Sequence, residues 1–242
     1  MLITYFCAGD PDPQSVPRMV DLLVRAGADV VELGLPHSDP IADGPAIQAA
    51  SQRAIEAGMN TDLYFEMISK TETDVPLVFM GYYNMIFRRG VERFAQDCAS
   101  SGITGLIVPD LPMDEAGPLK EACTRLDLDL IYLVAPNTPP ERIESIVEET
   151  SGFVYLVARS GVTGARRDLL DETKDLIDRV KTDVPKAVGF GISTPEQAAE
   201  VIRSGADAAI VGSACVDLIA RGDLVGLERL VGEMKEAIRR KT

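Results

Sequence analysis

Ala26-Gly27-Ala28-Asp29-Val30-Val31-Glu32-Leu33-Gly34 and, much later in the chain, Ser204-Gly205-Ala206-Asp207-Ala208-Ala209-Ile210-Val211-Gly212 nearly repeat each other. Each reads as a helix end, a glycine cap and an apolar strand, so one βα unit is used at least twice. Working outward, the pattern predicts strands over 2–8, 29–34, 76–81, 105–109, 128–135, 153–158, 186–190 and 208–212. These are continuous apolar runs, as parallel strands covered on both faces require. Between them lie helical spacings such as Val16, Met19, Val20, Leu23 and Leu227, Leu230, Val231, Met234. Thr138-Pro139-Pro140-Glu141 and Thr194-Pro195-Glu196-Gln197 each supply a cap residue, an early proline and an acid or amide three positions on. Eight βα units in 242 residues fit a single-domain (β/α)8 TIM barrel over residues 1–242. A doubly wound open sheet is the alternative. It asks for a Gly-rich fingerprint after the first strand, and Gly9-Asp10-Pro11-Asp12-Pro13 is none.

Composition narrows the function. A net charge of −14 disfavours nucleic acid and anionic membrane surfaces as partners. It leaves a phosphorylated substrate open, since backbone N–H groups at a helix start hold phosphate locally. No apolar run reaches membrane-span length, and Met1–Phe6 has neither the basic nor the apolar stretch of a signal peptide. Cys7, Cys98, Cys123 and Cys215 form no CxxC pair, and Cys98 and Cys123 fall at core spacing. That is the usage of a reduced, cytoplasmic protein. His37 is the sole histidine, so a Ser–His or Cys–His pair has one possible base.

The chemistry gathers after the second predicted strand, in Val31-Glu32-Leu33-Gly34-Leu35-Pro36-His37-Ser38-Asp39-Pro40-Ile41-Ala42-Asp43-Gly44-Pro45-Ala46-Ile47-Gln48. Glu32 interrupts an apolar strand at its C-terminal edge, and the loop then presents Asp39 and Asp43. A buried carboxylate is costly unless paired or used. The pattern therefore points either to acid–base catalysis by two carboxylates or to an ion pair at Glu32 with aspartates that cap turns. A barrel's phosphate site favours the loops after strands seven and eight. Here these read Gly189-Phe190-Gly191-Ile192-Ser193 and Gly212-Ser213-Ala214, and Arg159–Arg167 adds a third loop rich in Gly and Arg. Ile47, Tyr82, Tyr155 and Phe190 stand on the same side as pocket or core residues. Lys70, Lys120, Lys174, Lys181, Lys186, Lys235 and Lys241 all avoid strand C-termini, which disfavours Schiff-base chemistry. No His/Asp/Glu cluster has metal spacing, so no metal is expected.

These residues resemble the α subunit of tryptophan synthase, the indole-3-glycerol phosphate lyase family, over nearly the whole chain. The resemblance rests on Glu32-Leu33-Gly34, the long run Ser38–Gln48, Tyr155 with Arg159–Gly164, Gly189–Ser193 and Gly212–Ala214. It implies retro-aldol cleavage of indole-3-glycerol phosphate to indole and glyceraldehyde 3-phosphate. It also implies a β-subunit partner in an α2β2 complex, with pyridoxal phosphate in that partner and no cofactor in this chain. Carried over by position, Glu32 and Asp43 match the catalytic acids, and Ile47, Tyr155 and Phe190 the indole pocket. Gly164, Gly191, Gly212 and Ser213 match phosphate-binding positions. Thr163 matches a residue of a mobile loop that bonds the aspartate.

Two departures stand out. His37 occupies a position usually held by phenylalanine, and is read here as a solvated loop residue. The chain also begins at the first predicted strand, without the family's usual preceding helix. Three rivals remain: a stand-alone lyase without a β partner; a sugar-phosphate isomerase using Cys7, which lacks an acid at Ala135-Pro136-Asn137; and a non-catalytic phosphate binder.

Overall fold

The computed structural model describes residues 1–158, 166–189 and 191–240, with backbone alone for 166–171. Its strands are β1 (Leu2–Cys7), β2 (Val30–Gly34), β3 (Leu77–Met80), β4 (Ile103–Ile107), β5 (Asp129–Ile131), β6 (Leu133–Val134), β7 (Val154–Val157), β8 (Lys186–Gly189) and β9 (Ala208–Val211). All pairings are parallel, in the order β5-β4-β3-β2-β1-β9-β8-β7-β6. The edge strands β5 and β6 are separated in sequence by Tyr132 alone. The two edges are therefore halves of one strand, and the sheet closes into a barrel with helices around it. The fifth predicted strand, 128–135, is thus interrupted. Across the gap the Tyr155 N–H donates to the Tyr132 carbonyl at 3.0 Å, so the ladder continues.

Both copies of the repeated unit are built alike. Gly27 and Gly205 have φ of 115° and 101°, the left-handed geometry that ends a helix at little cost only in glycine. The aspartate two positions on has a role that the sequence left unread. The Asp29 carboxylate accepts the Leu2 N–H (2.6 Å) and that of Asp207 the Lys186 N–H (2.8 Å). Each therefore satisfies the first donor of the neighbouring strand at the barrel's N-terminal end. Lys235, on the helix Leu224–Arg239, also pairs with Asp29. Helix starts differ in how they are capped. Thr194 and Gln197 form the expected capping box. The helix Pro140–Glu149 begins after Pro139 without a side-chain cap, and Thr138 instead accepts the Ala135 N–H at 3.0 Å. Two successive prolines pushed the start one residue past the position assigned to it.

Strand β2 is fixed from both flanks. Tyr5 on β1 and Val78 on β3 stand in register with Glu32. Tyr64, fully buried on the helix Thr61–Ser69, donates to the Leu33 carbonyl at 2.8 Å. Among the described residues no helix is long and apolar enough to cross a membrane.

Candidate active site

Where strands β1, β2, β3, β7 and β9 end, a cavity of about 410 Å³ opens. Tyr5, Glu32, Met80, Tyr155 and Ile210 come up from the strands. Asp43, Ile47, Gly191, Gly212 and Ser213 come from the loops and helix starts above them. Two tyrosines line the cavity, each seated on a glycine of the neighbouring strand. A Cβ at Gly34 would collide with the Tyr5 hydroxyl, and one at Gly189 with the Tyr155 hydroxyl. Glycine at the C-terminal end of β2 and of β8 therefore leaves room for a ring.

Glu32 is fully buried, and neither carboxylate oxygen has a hydrogen-bond partner among the described residues. The ion pair held open by the sequence is absent from them. Burial alone drives the Glu32 carboxyl up from 4.5 to about 8, so at neutral pH it is a protonated acid. A carboxyl held neutral by burial and facing a cavity is a candidate proton donor.

Asp43 is held differently. It sits on the irregular segment between β2 and the helix Pro45–Glu56, just before the capping residue Gly44. The Tyr82 hydroxyl donates to Asp43 Oδ2 at 3.0 Å and accepts the Ala42 N–H at 2.9 Å. Gln48 reaches back to the Asp43 carbonyl at 2.9 Å. Burial raises the Asp43 carboxyl above its ordinary value, and the Tyr82 hydrogen bond opposes that rise. Unlike Glu32, Asp43 has a hydrogen-bond donor that favours its ionised form against the effect of burial. Tyr82 itself does not line the main cavity. It borders a narrow gap beside it, with Asp43, Ser51 and Leu35. His37 is half-buried rather than free in solvent. Its ring centroid lies 5.0 Å from that of Tyr82, and its Nδ1 accepts the Asp39 N–H at 3.0 Å.

Across the cavity, Gly212 precedes the helix Ser213–Ala220. A Cβ built on Gly212 would rest on the Tyr5 ring, 3.5 Å from its Cδ1, without a clash, so the glycine leaves bare backbone beside that ring. Free N–H groups and the helix dipole face the same point, and Gly191 (φ 80°) approaches from the preceding loop. Thr163, Gly164 and Phe190 lie outside the described residues. Tyr5, Met80 and Ile210 were read only as strand residues. Their signal is parity, since side chains in register with Glu32, or two positions before or after that register, share its face. Cys7 is buried beside Ser51, 3.8 Å away, and burial pushes its thiol up to about 12. Such a thiol is a poor general base at neutral pH. Among the described residues no group of His, Cys, Asp and Glu could hold a metal ion.

Fold and cavity together are those of a (β/α)8-barrel enzyme, with two carboxyl groups at the C-terminal mouth of the barrel. The chain belongs to the tryptophan synthase alpha chain family, whose pattern it matches over residues 1–240. It is 55% identical over 239 residues to the tryptophan synthase alpha chain of Methanosarcina acetivorans, covering 98% of this chain and 88% of that one. With the protein of the same name from Haloferax volcanii it shares 50% over 225 residues, 91% of this chain and 81% of the relative. Tryptophan synthase from M. tuberculosis in its aminoacrylate-bound form superposes with a TM-score of 0.90 at 36% identity, over 98% and 93% of the two chains. Tryptophan synthase subunit alpha from Legionella pneumophila gives 0.90 at 35% identity, over 99% and 93%. The activity is that of a carbon–carbon lyase of tryptophan biosynthesis, cleaving indole-3-glycerol phosphate.

Proposed function

We propose that Glu32 and Asp43 carry out this cleavage together, Glu32 as the proton carrier and Asp43 as the anion at the indole nitrogen. The protonated Glu32 delivers its proton to indole C3, which leaves positive charge on the ring nitrogen beside the Asp43 carboxylate. Glu32, now ionised, removes the proton of the glycerol hydroxyl next to the ring. The C–C bond breaks, its electrons return to the ring, and indole and glyceraldehyde 3-phosphate result with Glu32 again protonated. The single observation that carries this reading is the buried, unpartnered Glu32 carboxyl, held neutral by burial at the cavity floor. An acid that starts protonated gives first and takes second, the order that the reaction needs.

The phosphate is placed at Gly212, Ser213 and Gly191, with Gly164 added by resemblance. The indole lies among Ile47, Tyr155 and Tyr5, with Phe190 added on the same ground. Thr163 is assigned to the loop that closes over Asp43. The whole chain is taken as one barrel domain, cytoplasmic and without a cofactor of its own. Its partner is a β subunit that holds pyridoxal phosphate and receives the indole, in an α2β2 complex. Two exposed apolar side chains next to the site support such a partner: Ile41 (83% exposed) on the Asp43 loop and Phe87 (68%) on the helix Tyr83–Arg89.

The test is to mix the purified chain with indole-3-glycerol phosphate and follow indole, with and without a β subunit. Release stimulated at least about tenfold by the β subunit, equivalent to about 1.4 kcal/mol of barrier, supports the partnered enzyme. Equal rates favour the stand-alone lyase. No release at all overturns the reading. Gly212→Leu fills the anion's place, so it should raise KM and abolish inhibition by glycerol phosphate. Unchanged inhibition puts the phosphate elsewhere.

A further inference from the structure

We propose that His37 is a positioning residue: its neutral imidazole holds the Asp43 loop in working order, and protonation of the ring releases that hold. The inference rests on the role given to Asp43 above. The loop that joins β2 to the helix Pro45–Glu56 is held by backbone turns at Asp39 and Pro40, by Gln48 on the Asp43 carbonyl, and by three bonds of His37 and Tyr82. The Asp39 N–H is accepted by His37 Nδ1, the Ala42 N–H by the Tyr82 hydroxyl, and the Asp43 carboxylate receives the Tyr82 O–H. The His37 and Tyr82 rings lie against each other at 5.0 Å with 43° between planes. One packed pair of rings thus supplies the two side-chain acceptors for loop N–H groups and the donor to the Asp43 carboxylate.

An imidazole nitrogen that accepts an N–H carries no proton of its own. The geometry therefore requires the neutral ring, with its hydrogen on Nε2. Protonation at Nδ1 turns this acceptor into a donor and forces the Asp39 N–H away. The charged groups facing the ring strengthen the effect. On its own loop stand Asp39 and Asp43, with Ser38 bonded to Asp39 at 2.8 Å. From the barrel side come Tyr82 and, behind it, Asp110, which accepts the Tyr83 N–H at 2.9 Å. All the ionisable groups among these are acidic, so an imidazolium would turn toward a carboxylate and compete with Tyr82 for Asp43. The expected sign is loss of activity on the acid side.

His37 is the only histidine in the chain, so NMR on untagged, 15N-labelled protein reads it without ambiguity. At pH 8 the ring should show an unprotonated Nδ1 and a protonated Nε2. On acidification the Asp39 amide signal should move with the same midpoint as the ring. For activity, H37N still offers an amide oxygen to the Asp39 N–H but does not titrate. What Glu32 and Asp43 contribute to the pH profile is common to both proteins. The parent should lose more of its indole release between pH 8 and pH 6 than H37N does, by at least about threefold. H37F, with the ring but no acceptor, should run below H37N at pH 8. A proton on Nδ1 at pH 8, an Asp39 amide indifferent to the ring, or matching profiles for parent and H37N would each overturn the proposal. A parent that releases no indole at any pH breaks the functional reading instead, and the NMR titration still decides whether His37 holds the loop.

Discussion

Strand β2 and the loop that follows it each bring one carboxyl group to the same cavity, the strand by burial and the loop by a tether. Glu32 has no polar partner among the described residues, and its backbone is locked between β1 and β3. Asp43 has no strand to hold it and depends on the Tyr82 hydroxyl, with His37 packed behind. Burial without a partner makes a carboxyl neutral and costs stability. A hydrogen-bonded tether keeps it ionisable and lets its position respond to whatever moves the loop. The strand therefore supplies the constant element of the site and the loop the adjustable one.

Substitutions that remove one acid at a time should show this contrast most strongly. Glu32→Gln keeps the shape and deletes the titrating proton, so indole release should fall by about 10²–10⁴ with KM little changed. Asp43→Asn should fall by about 10–10³ and also raise KM, because an amide oxygen still meets the indole N–H but lacks the charge. Steady-state kinetics of both variants, with circular dichroism as a check on folding, decide the matter. Near-normal turnover in either one breaks the division of labour.

The same contrast should appear in stability against pH. Glu32 has a folded-state pKa of about 8 against 4.5 for an ordinary carboxyl. Between those values the unfolded chain ionises this group and the folded chain keeps it protonated, so each rise in pH favours unfolding. The stability that neutral Glu32 allows is fully present below about pH 4.5 and is lost by about pH 8. Glu32→Gln removes the dependence. Its Tm relative to the parent should climb from pH 5 to pH 8.5, by roughly 2–4 °C for each kcal/mol recovered in a chain of this size. Asp43→Asn should show a weaker slope of the same sign, since the Tyr82 hydrogen bond opposes the effect of burial there. A flat difference for Glu32→Gln across that range would show that Glu32 is ionised in the folded protein.

Which parts of this were legible in the sequence follows from the range of the interactions. Strands and caps depend on neighbours within a few residues, so the repeat 26–34/204–212, the Thr194 capping box and Glu32 at a strand end could all be read directly. The interruption at Tyr132 could not be, because no local breaker in 128–135 marks it. Tyr82 was read as a pocket or core aromatic, yet its hydroxyl goes to a residue 39 positions away. His37 was read as solvated because nothing within the loop itself would bury it. Tyr5 escaped notice because an aromatic in an apolar strand looks like core until the facing Gly34 is seen to make room for it. The fold was thus legible wherever contacts were local, and the site only where a residue broke a pattern.

The smallest expected effect tests the tether itself. Tyr82→Phe removes the donor to Asp43 Oδ2 and the acceptor for the Ala42 N–H while leaving the ring against His37. A net hydrogen bond is worth about 0.5–1.5 kcal/mol, so indole release should drop by about three- to tenfold, mainly in kcat. If Tyr82 acts only by holding Asp43, its loss matters little once Asp43 cannot do its work. The double variant Asp43→Asn/Tyr82→Phe should then be nearly as active as Asp43→Asn alone, with a coupling of about 1 kcal/mol between the two sites. Full additivity would mean that Tyr82 contributes through something other than the loop carboxylate. The same cycle run on Glu32→Gln/Tyr82→Phe should be close to additive, because the strand acid shares no hydrogen bond with Tyr82. A cycle that couples Tyr82 to Glu32 as strongly as to Asp43 would erase the distinction between a fixed and an adjustable carboxyl.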